Sequence, residues 1–275
     1  MRALISIPAR FAATRLPGKP LVLLAGKTLV ERVVDIANSA KSLTTIDTDV
    51  IVAADDEKVS KHCESLGIPV VMTPVECRTG TDRSREVLLA VKENYDIVAS
   101  VQVDAPLTPP HVVAAMINAL VDRPESSLAT PVVQLTWKEL DFLREAKKSN
   151  PFSGCTVIVN REGKALWFSK NIIPALRDEQ KLRSVEGLSP ILQHVGIYCY
   201  RSDLLIQYAK LPSGYYENLE SLEQLRVLEN GLNIEAVRVD YRGWVRMSGI
   251  DAPADLERAE RHIQERGEVL DYFSI

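Results

Sequence analysis

Over its first 120 or so residues the chain alternates short apolar runs with segments of helical periodicity, and that alternation limits the folds open to it. Ala3, Leu4, Ile5 and Ile7 form a run that reads as a buried strand. Leu29, Val30, Val33, Val34 and Ala37 then recur at helical spacing, with Thr28 and Glu31 placed as a capping box. A second strand is expected at residues 50–54, a helix at 57–66 stopped by Gly67, and a short third strand at 70–72. Residues 84–91 read as another helix and residues 97–103 as another buried strand. Strands alternating with helices in this way predict an α/β fold with a parallel sheet covered on both faces.

The second half is more mixed. Residues 156–160 and 165–168 flank Arg161-Glu162-Gly163-Lys164, a hairpin pattern with glycine in the turn. Residues 194–200 alternate like a strand, residues 217–228 read as a strong helix ending at Asn230-Gly231, and residues 254–264 as another helix. No internal repeat, low-complexity tract or flexible linker interrupts the sequence. Residues from about 130 to 245 are therefore expected to form an inserted antiparallel portion rather than an independent domain.

Composition narrows the partners. A formal net charge of −4 argues against a bulk nucleic-acid or membrane-surface binder, so any anion site must be a local cluster of basic side chains. Cys63, Cys77, Cys155 and Cys199 are widely spread, with no C-x-x-C pair, and suggest neither a zinc site nor a disulfide framework. The apolar run at the N-terminus is too short for a signal peptide and no stretch approaches a membrane span, so a cytoplasmic protein is expected.

Such a basic cluster follows the first strand directly: Arg10, Arg15 and Lys19. Ligands of open α/β sheets bind beyond the carboxyl ends of strands, which is where these cations fall. Arginine forks, a lysine point charge and backbone amides are the groups that hold a triphosphate and stabilise a departing pyrophosphate. Pro8, Pro17 and Gly18 restrict the loop rather than leave it floppy. The pattern is neither a Walker A loop nor G-x-G-x-x-G, which weakens a P-loop NTPase or a dinucleotide-dependent oxidoreductase.

Two aspartates stand at comparable places. Asp104 ends the strand expected at 97–103 and points to the same edge as the basic loop, although a turn-forming Asp would look the same. Asp251, with Pro253 two residues on, reads on spacing alone as a helix N-cap. If the fold brings them together, they supply the one or two carboxylates that Mg²⁺ takes alongside phosphate oxygens and water.

The segment Ile7-Pro8-Ala9-Arg10-Phe11-Ala12-Ala13-Thr14-Arg15-Leu16-Pro17-Gly18-Lys19-Pro20-Leu21 resembles the opening signature of the 3-deoxy-manno-octulosonate (Kdo) cytidylyltransferases, within the sugar-nucleotidyltransferase superfamily. The resemblance extends from about residue 3 to 265. Gln102-Val103-Asp104-Ala105-Pro106 is similar to the family's Q-G-D-E-P, and Ile250-Asp251-Ala252-Pro253-Ala254-Asp255-Leu256 to its V-D-T-P-E-D-L, which implies Mg²⁺ ligation by Asp104 and Asp251. Arg10 and Lys19 are implied to hold the CTP phosphates with Arg15 in support, making Arg10, Lys19 and Asp104 the catalytic set. Pro8, Ala9 and Gln102 join the nucleotide site. So do Thr79, Gly80, Thr81 and Arg83, in a loop that resembles the family's S-G-T-E-R.

Acceptor-binding roles are implied for Gln102, for Lys170 (in a stretch resembling L-Y-F-S-R-A-x-I-P), for His194 and Tyr198 (H-L-G-I-Y-G-Y-R) and for Glu223 and Gln224 (L-E-Q-L-R). A lone His beside a strand is more often structural than catalytic, and the resemblance gives His194 binding rather than proton transfer.

What the resemblance implies is a Rossmann-like nucleotidyltransferase fold with a mixed, mainly parallel central sheet and an inserted antiparallel subdomain. Residues 1–275 would form one domain, with about 130–245 as its acceptor-binding and dimerisation portion. The implied activity is Mg²⁺-dependent cytidylyl transfer from CTP to an acidic sugar by a cytoplasmic homodimer, with no nucleic-acid or membrane partner. Departures keep other acceptors open, among them an amino-Kdo variant, a nonulosonic acid or a phosphonate. Val103 replaces a glycine, Ala105 a glutamate and Lys170 an arginine, and Lys and Arg are not interchangeable on a carboxylate. Residues 150–157 lack the lysine of the family's N-P-N-x-V-K-V-V, and residues 267–275 extend beyond the usual end. A non-catalytic nucleotide-binding relative is the remaining alternative.

Overall fold

The computed structural model describes residues 1–12, 15–185, 187–246 and 249–273. In β1 (Arg2–Ala9) every residue after Arg2 is buried, as befits a strand covered on both faces. A 3₁₀ turn (Lys19–Leu21) and a small hairpin of β2 (Leu23–Leu24) and β3 (Lys27–Thr28) lead into α1 (Leu29–Lys41). The expected capping box opens α1: Thr28 Oγ1 accepts the Glu31 N–H while the Glu31 carboxylate accepts the Thr28 N–H. Next come β4 (Asp47–Ala54), α2 (Glu57–Ser65), β5 (Val70–Met72), α3 (Gly80–Ala90), β6 (Ile97–Ser100) and α4 (Pro110–Asp122). β4 and β6 flank β1 in parallel, and β5 lies parallel outside β4. Alternate residues of β1 feed two cores: Ala3, Ile5 and Ile7 pack with α1 and α4, whereas Leu4 faces the layer containing Val87 of α3.

The remaining elements are β7 (Leu128–Thr136), α5 (Trp137–Ser149), β8 (Thr156–Val159), β9 (Ala165–Ser169), α6 (Glu179–Val185), β10 (Leu188–His194) and β11 (Tyr198–Arg201). After these come α7 (Ser202–Tyr208), α8 (Tyr215–Glu220), α9 (Gln224–Glu229), β12 (Ile234–Arg238), α10 (Pro253–Arg266) and α11 (Val269–Phe273). β11 pairs antiparallel with β6 and carries the sheet into an antiparallel half in the order β11-β7-β10-β8-β9, with β12 parallel to β7. The result is the mixed α/β architecture expected. The hairpin anticipated around Gly163 is β8–β9.

Three expected elements differ. The strand at 97–103 leaves the ladder after Ser100. Val101 still donates to the Ser6 carbonyl, and the chain then turns so that Gln102 to Asp104 reach the sheet edge. The alternating segment 194–200 is broken, β10 ending at His194 and β11 starting at Tyr198. Thr130 fills the break: its hydroxyl lies 2.8 Å from the Ile197 carbonyl and 2.8 Å from His194 Nε2. The helix at 217–228 is two helices, separated at Ser221 in the left-handed region (φ 50°). Folding back places the Glu229 carboxylate on the Tyr216 and Glu217 N–H groups, first-turn donors of α8 that have no partner within their own helix. Leucine spacing alone does not reveal that reversal, since Leu222 and Leu225 are buried on either reading. No described helix is long and apolar enough to cross a membrane, and all four cysteines are free thiols.

Candidate active site

A cleft of about 310 Å³ opens where β1 and β6 end. Gly18, in the left-handed region at φ 69°, turns the basic loop so that Lys19 points inward, with only 8% of the residue exposed. Lys19 Nζ lies 2.9 Å from Asp104 Oδ2 and 2.9 Å from Asp251 Oδ1. Arg15 Nη2 adds a contact of 3.1 Å to Asp251 Oδ2. Residues 85 and 232 positions away from Lys19 thus meet on one ammonium. The two acidic loops are also stitched together, because the Ile250 N–H donates to the Asp104 carbonyl at 2.8 Å. Gly249 sits at φ 119°, and a Cβ there would stand 3.3 Å from Asp104 Cγ, so both backbone conformation and space call for glycine.

The environment drives the carboxyls apart. Burial pushes Asp104 above the usual carboxylate range; Lys19 only partly offsets this, and Asp251 adds like-charge repulsion. Burial also acts on Asp251, but Lys19 and Arg15 outweigh it and hold that group below its usual range. Among the described residues no group of three or more His, Cys, Asp or Glu gathers as a metal cage. The convergence of two carboxylates on one cation nevertheless fits a hard divalent ion that completes its shell with substrate oxygens and water.

Arg10 and Arg78 line the same cleft, exposed, and among the described residues neither side chain has a hydrogen-bond or ion-pair partner. Arg78 was not singled out by the sequence pattern. Thr79 caps α3 in a box with Asp82 and borders the cleft beside Gly80. A Cβ on Gly80 would come within 2.2 Å of the Gln102 amide, so with any other residue here the Gln102 side chain would have to swing away from the first turn of α3. Pro8 and Val103 also face the cleft, whereas Ala9 is wholly buried beside it.

Arg83 reaches the cleft wall but is committed to structure. It is 2% exposed, paired with Asp55 at 3.1 Å, and donates to Thr73 Oγ1 at 2.8 Å. The other oxygen of Asp55 accepts the Phe11 N–H at 2.8 Å, so one carboxylate fastens the basic loop and α3 together. Sequence reasoning missed Asp55, although it follows β4 as Asp104 follows β6. The same strand-end rule finds it.

The other expected residues form a second, connected cluster. Thr81 turns away from the cleft to Tyr200 Oη (3.0 Å) and Glu223 Oε2 (3.2 Å). Tyr198 donates to Gln224 Oε1 at 2.9 Å, and Gln224 Nε2 donates to Cys155 Sγ at 3.8 Å. Burial pushes the Cys155 thiol up to about 12 and raises Glu223 as well. His194 packs against Phe168 and Tyr198. Burial, with Lys170 nearby, lowers its pKa to about 3, so the imidazole is neutral. The single Thr130 proton is taken by a carbonyl, which makes His194 the Nε2–H donor. Lys170 is half-buried on the end of β9, its carbonyl accepting from Lys147 Nζ at 2.6 Å. Lys147 also binds the carbonyls of Pro151, Ser153 and Gly154, so the segment that lacks the family's lysine closes over a lysine from α5.

A cationic loop and two carboxylates at the strand ends of a mixed α/β sheet define a nucleotidyltransferase. The cytidylyltransferase family model matches residues 4–234. A 3-deoxy-manno-octulosonate cytidylyltransferase of Maricaulis maris is 40% identical over 270 residues, 98% of this chain and 100% of the relative. The enzyme of that name from Bacteroides thetaiotaomicron is 36% identical, covering 97% of this chain and 100% of its own. The solved structure of a CMP:2-keto-3-deoxy-manno-octonic acid synthetase complexed with CTP matches with a TM-score of 0.82 at 34% identity, over 96% of this chain and 99% of that one. The chain belongs to the 3-deoxy-manno-octulosonate cytidylyltransferase family.

Proposed function

We propose that this enzyme transfers a cytidylyl group from CTP to an acidic sugar of the Kdo type, releasing pyrophosphate. The observation that carries the reading is the meeting of Asp104 and Asp251 on Lys19 beside two arginines that have no partner among the described residues. Arg10 and Arg78 hold triphosphate oxygens, and Lys19 stabilises charge that builds up on the leaving pyrophosphate. Thr79, Gly80 and Gln102 flank the base and ribose. Asp104 and Asp251 would hold Mg²⁺, which when bound neutralises phosphate charge and lowers the pKa of the attacking hydroxyl. Lys170 provides positive charge for the acceptor carboxylate, and Tyr198, Glu223 and Gln224 provide hydrogen bonds for its hydroxyls. Neutral His194, whose Nε2–H already donates to Thr130, orients Tyr198 rather than moving a proton. Catalysis rests on alignment and electrostatics, with no protein nucleophile.

Lys170 and Cys155 favour a second acceptor reading. A lysine replaces the family's arginine, and a neutral thiol stands in the segment where the family keeps a lysine. An acceptor other than Kdo, such as an amino-sugar variant, suits a site in which the lysine charge comes from Lys147 of α5 and a lysine stands for the arginine fork. The same reading makes the protein a cytoplasmic homodimer of one catalytic domain, with residues 130–245 on the acceptor and dimer side. Pyrophosphate release from CTP, measured with Kdo, its amino variants and nonulosonic acids, tests the proposal. Turnover with Kdo supports the first reading and turnover only with another acid the second. CTP binding without turnover on any acid would overturn both.

A further inference from the structure

We propose that the C-terminal segment, residues 266–273, is a positioning clasp for the three loops that deliver Lys19, Asp104 and Asp251. The inference rests on the roles proposed for those three residues. Val269 is buried in the main core, and Leu270 and Phe273 pack partly buried against it, which anchors the segment. Its polar contacts reach the loops, directly or through Arg32 of α1.

The first loop follows Lys19. Arg32 donates to the Leu24 carbonyl at 2.6 Å and to the Ala25 carbonyl at 2.9 Å, and is 4% exposed. Its counter-charge comes from the tail: Glu268 accepts from the two terminal guanidinium nitrogens, at 2.6 and 3.2 Å. A guanidinium this buried needs that partner to keep its place. The second loop, residues 240–246, precedes Asp251. Tyr272 Oη donates to the Arg242 carbonyl at 2.9 Å, and Arg266 to the Gly243 carbonyl at 3.3 Å. Phe273 packs on His111, whose Nε2 meets the Asp240 carbonyl at 2.8 Å.

The third loop carries Asp104, and Trp244 connects it to the second. The indole N–H of Trp244 donates to the Leu107 carbonyl at 3.0 Å, three residues past Asp104. The ring is enclosed by His262, Tyr272 and Phe273, with centroids 4.6, 4.8 and 6.0 Å away. Trp244 thus joins both acid-bearing loops, and the tail aromatics hold it there. Tyr272, Trp244 and Glu268 are positioning residues: they act through the loops and lie outside the cleft lining.

The test is a chain truncated after Gly267, compared with the full chain for kcat, for the acceptor KM and for calorimetric affinity for Mg·CTP. Misplacing catalytic groups by a fraction of an ångström should lower kcat about tenfold and weaken Mg·CTP binding severalfold, with the acceptor KM within about twofold. A truncated chain with full kcat and affinity and only a lower Tm would overturn the proposal. Should truncation prevent folding, Glu268→Ala combined with Tyr272→Phe keeps the aromatic packing and removes the ties to Arg32 and to the Arg242 carbonyl. About a threefold loss of kcat is then expected, and no loss overturns the clasp. If the full chain shows no turnover on any acid, the functional reading has failed, and the Mg·CTP affinities alone decide the clasp.

Discussion

Around the cleft, charges are held in mutual contact or, among the described residues, left unpaired, whereas the Tyr198–Gln224–Cys155 cluster contains no charge and its groups bond to one another. In the first region, hydrogen-bonding capacity stays available to a ligand, and a counter-ion within the protein can be exchanged for one on the substrate. In the second, buried polar groups are matched internally, which fixes shape. Ligand-directed charge and shape-directed neutrality thus lie side by side, and they should respond differently to mutation.

The contrast can be broken most severely where Arg83 and Asp55 tie the basic loop to α3. Arg83→Met strands the Asp55 carboxylate, which is itself only 6% exposed. Breaking a buried pair in this way costs about 3–5 kcal/mol, and a lower denaturation midpoint in urea with unchanged m-value is expected. An unaltered midpoint would show that Asp55 does not anchor the basic loop. Lys19→Met comes next: removing a donor aimed at developing charge should cut kcat by about 10²–10³-fold while the chain remains folded by circular dichroism. Turnover near the unmutated rate would place the chemistry elsewhere.

The smallest effect sharpens the neutral side. An unfolded His titrates near 6.5 whereas folded His194 titrates near 3. The unfolded chain therefore takes up a proton that the folded chain refuses, and stability falls as pH drops through that window. By pH 5.5 the loss attributable to His194 should be about 1 kcal/mol, and His194→Asn should flatten that part of a Tm-against-pH curve. A curve unchanged by the substitution would mean that His194 is solvated and charged.

Legibility in the sequence follows the same division. Arg10, Lys19, Asp104 and the Thr79-Gly80 turn sit in short contiguous motifs at strand ends, and the parallel half of the sheet is written in apolar runs that local periodicity detects. The Ser221 reversal was not readable, because the carboxylate that rewards it, Glu229, belongs to the following helix. The break at residues 195–197 depends on Thr130, more than sixty positions away. Lys147 replaces a lysine expected elsewhere, and only the folded loop of carbonyls around its ammonium reveals it. Interactions that span the chain leave no periodic trace, and most of the second cluster is of that kind.

The opening turn of α3 has one more consequence. Thr79 and Gly80 border the cleft, while Thr81, the very next residue, grips Tyr200 and Glu223. Consecutive residues of a hydrogen-bonded turn cannot slide past each other, so the cleft and the buried cluster share a common rigid spacer. Their separation is then set by backbone geometry rather than by side-chain reach, and a shift of one carries the other with it.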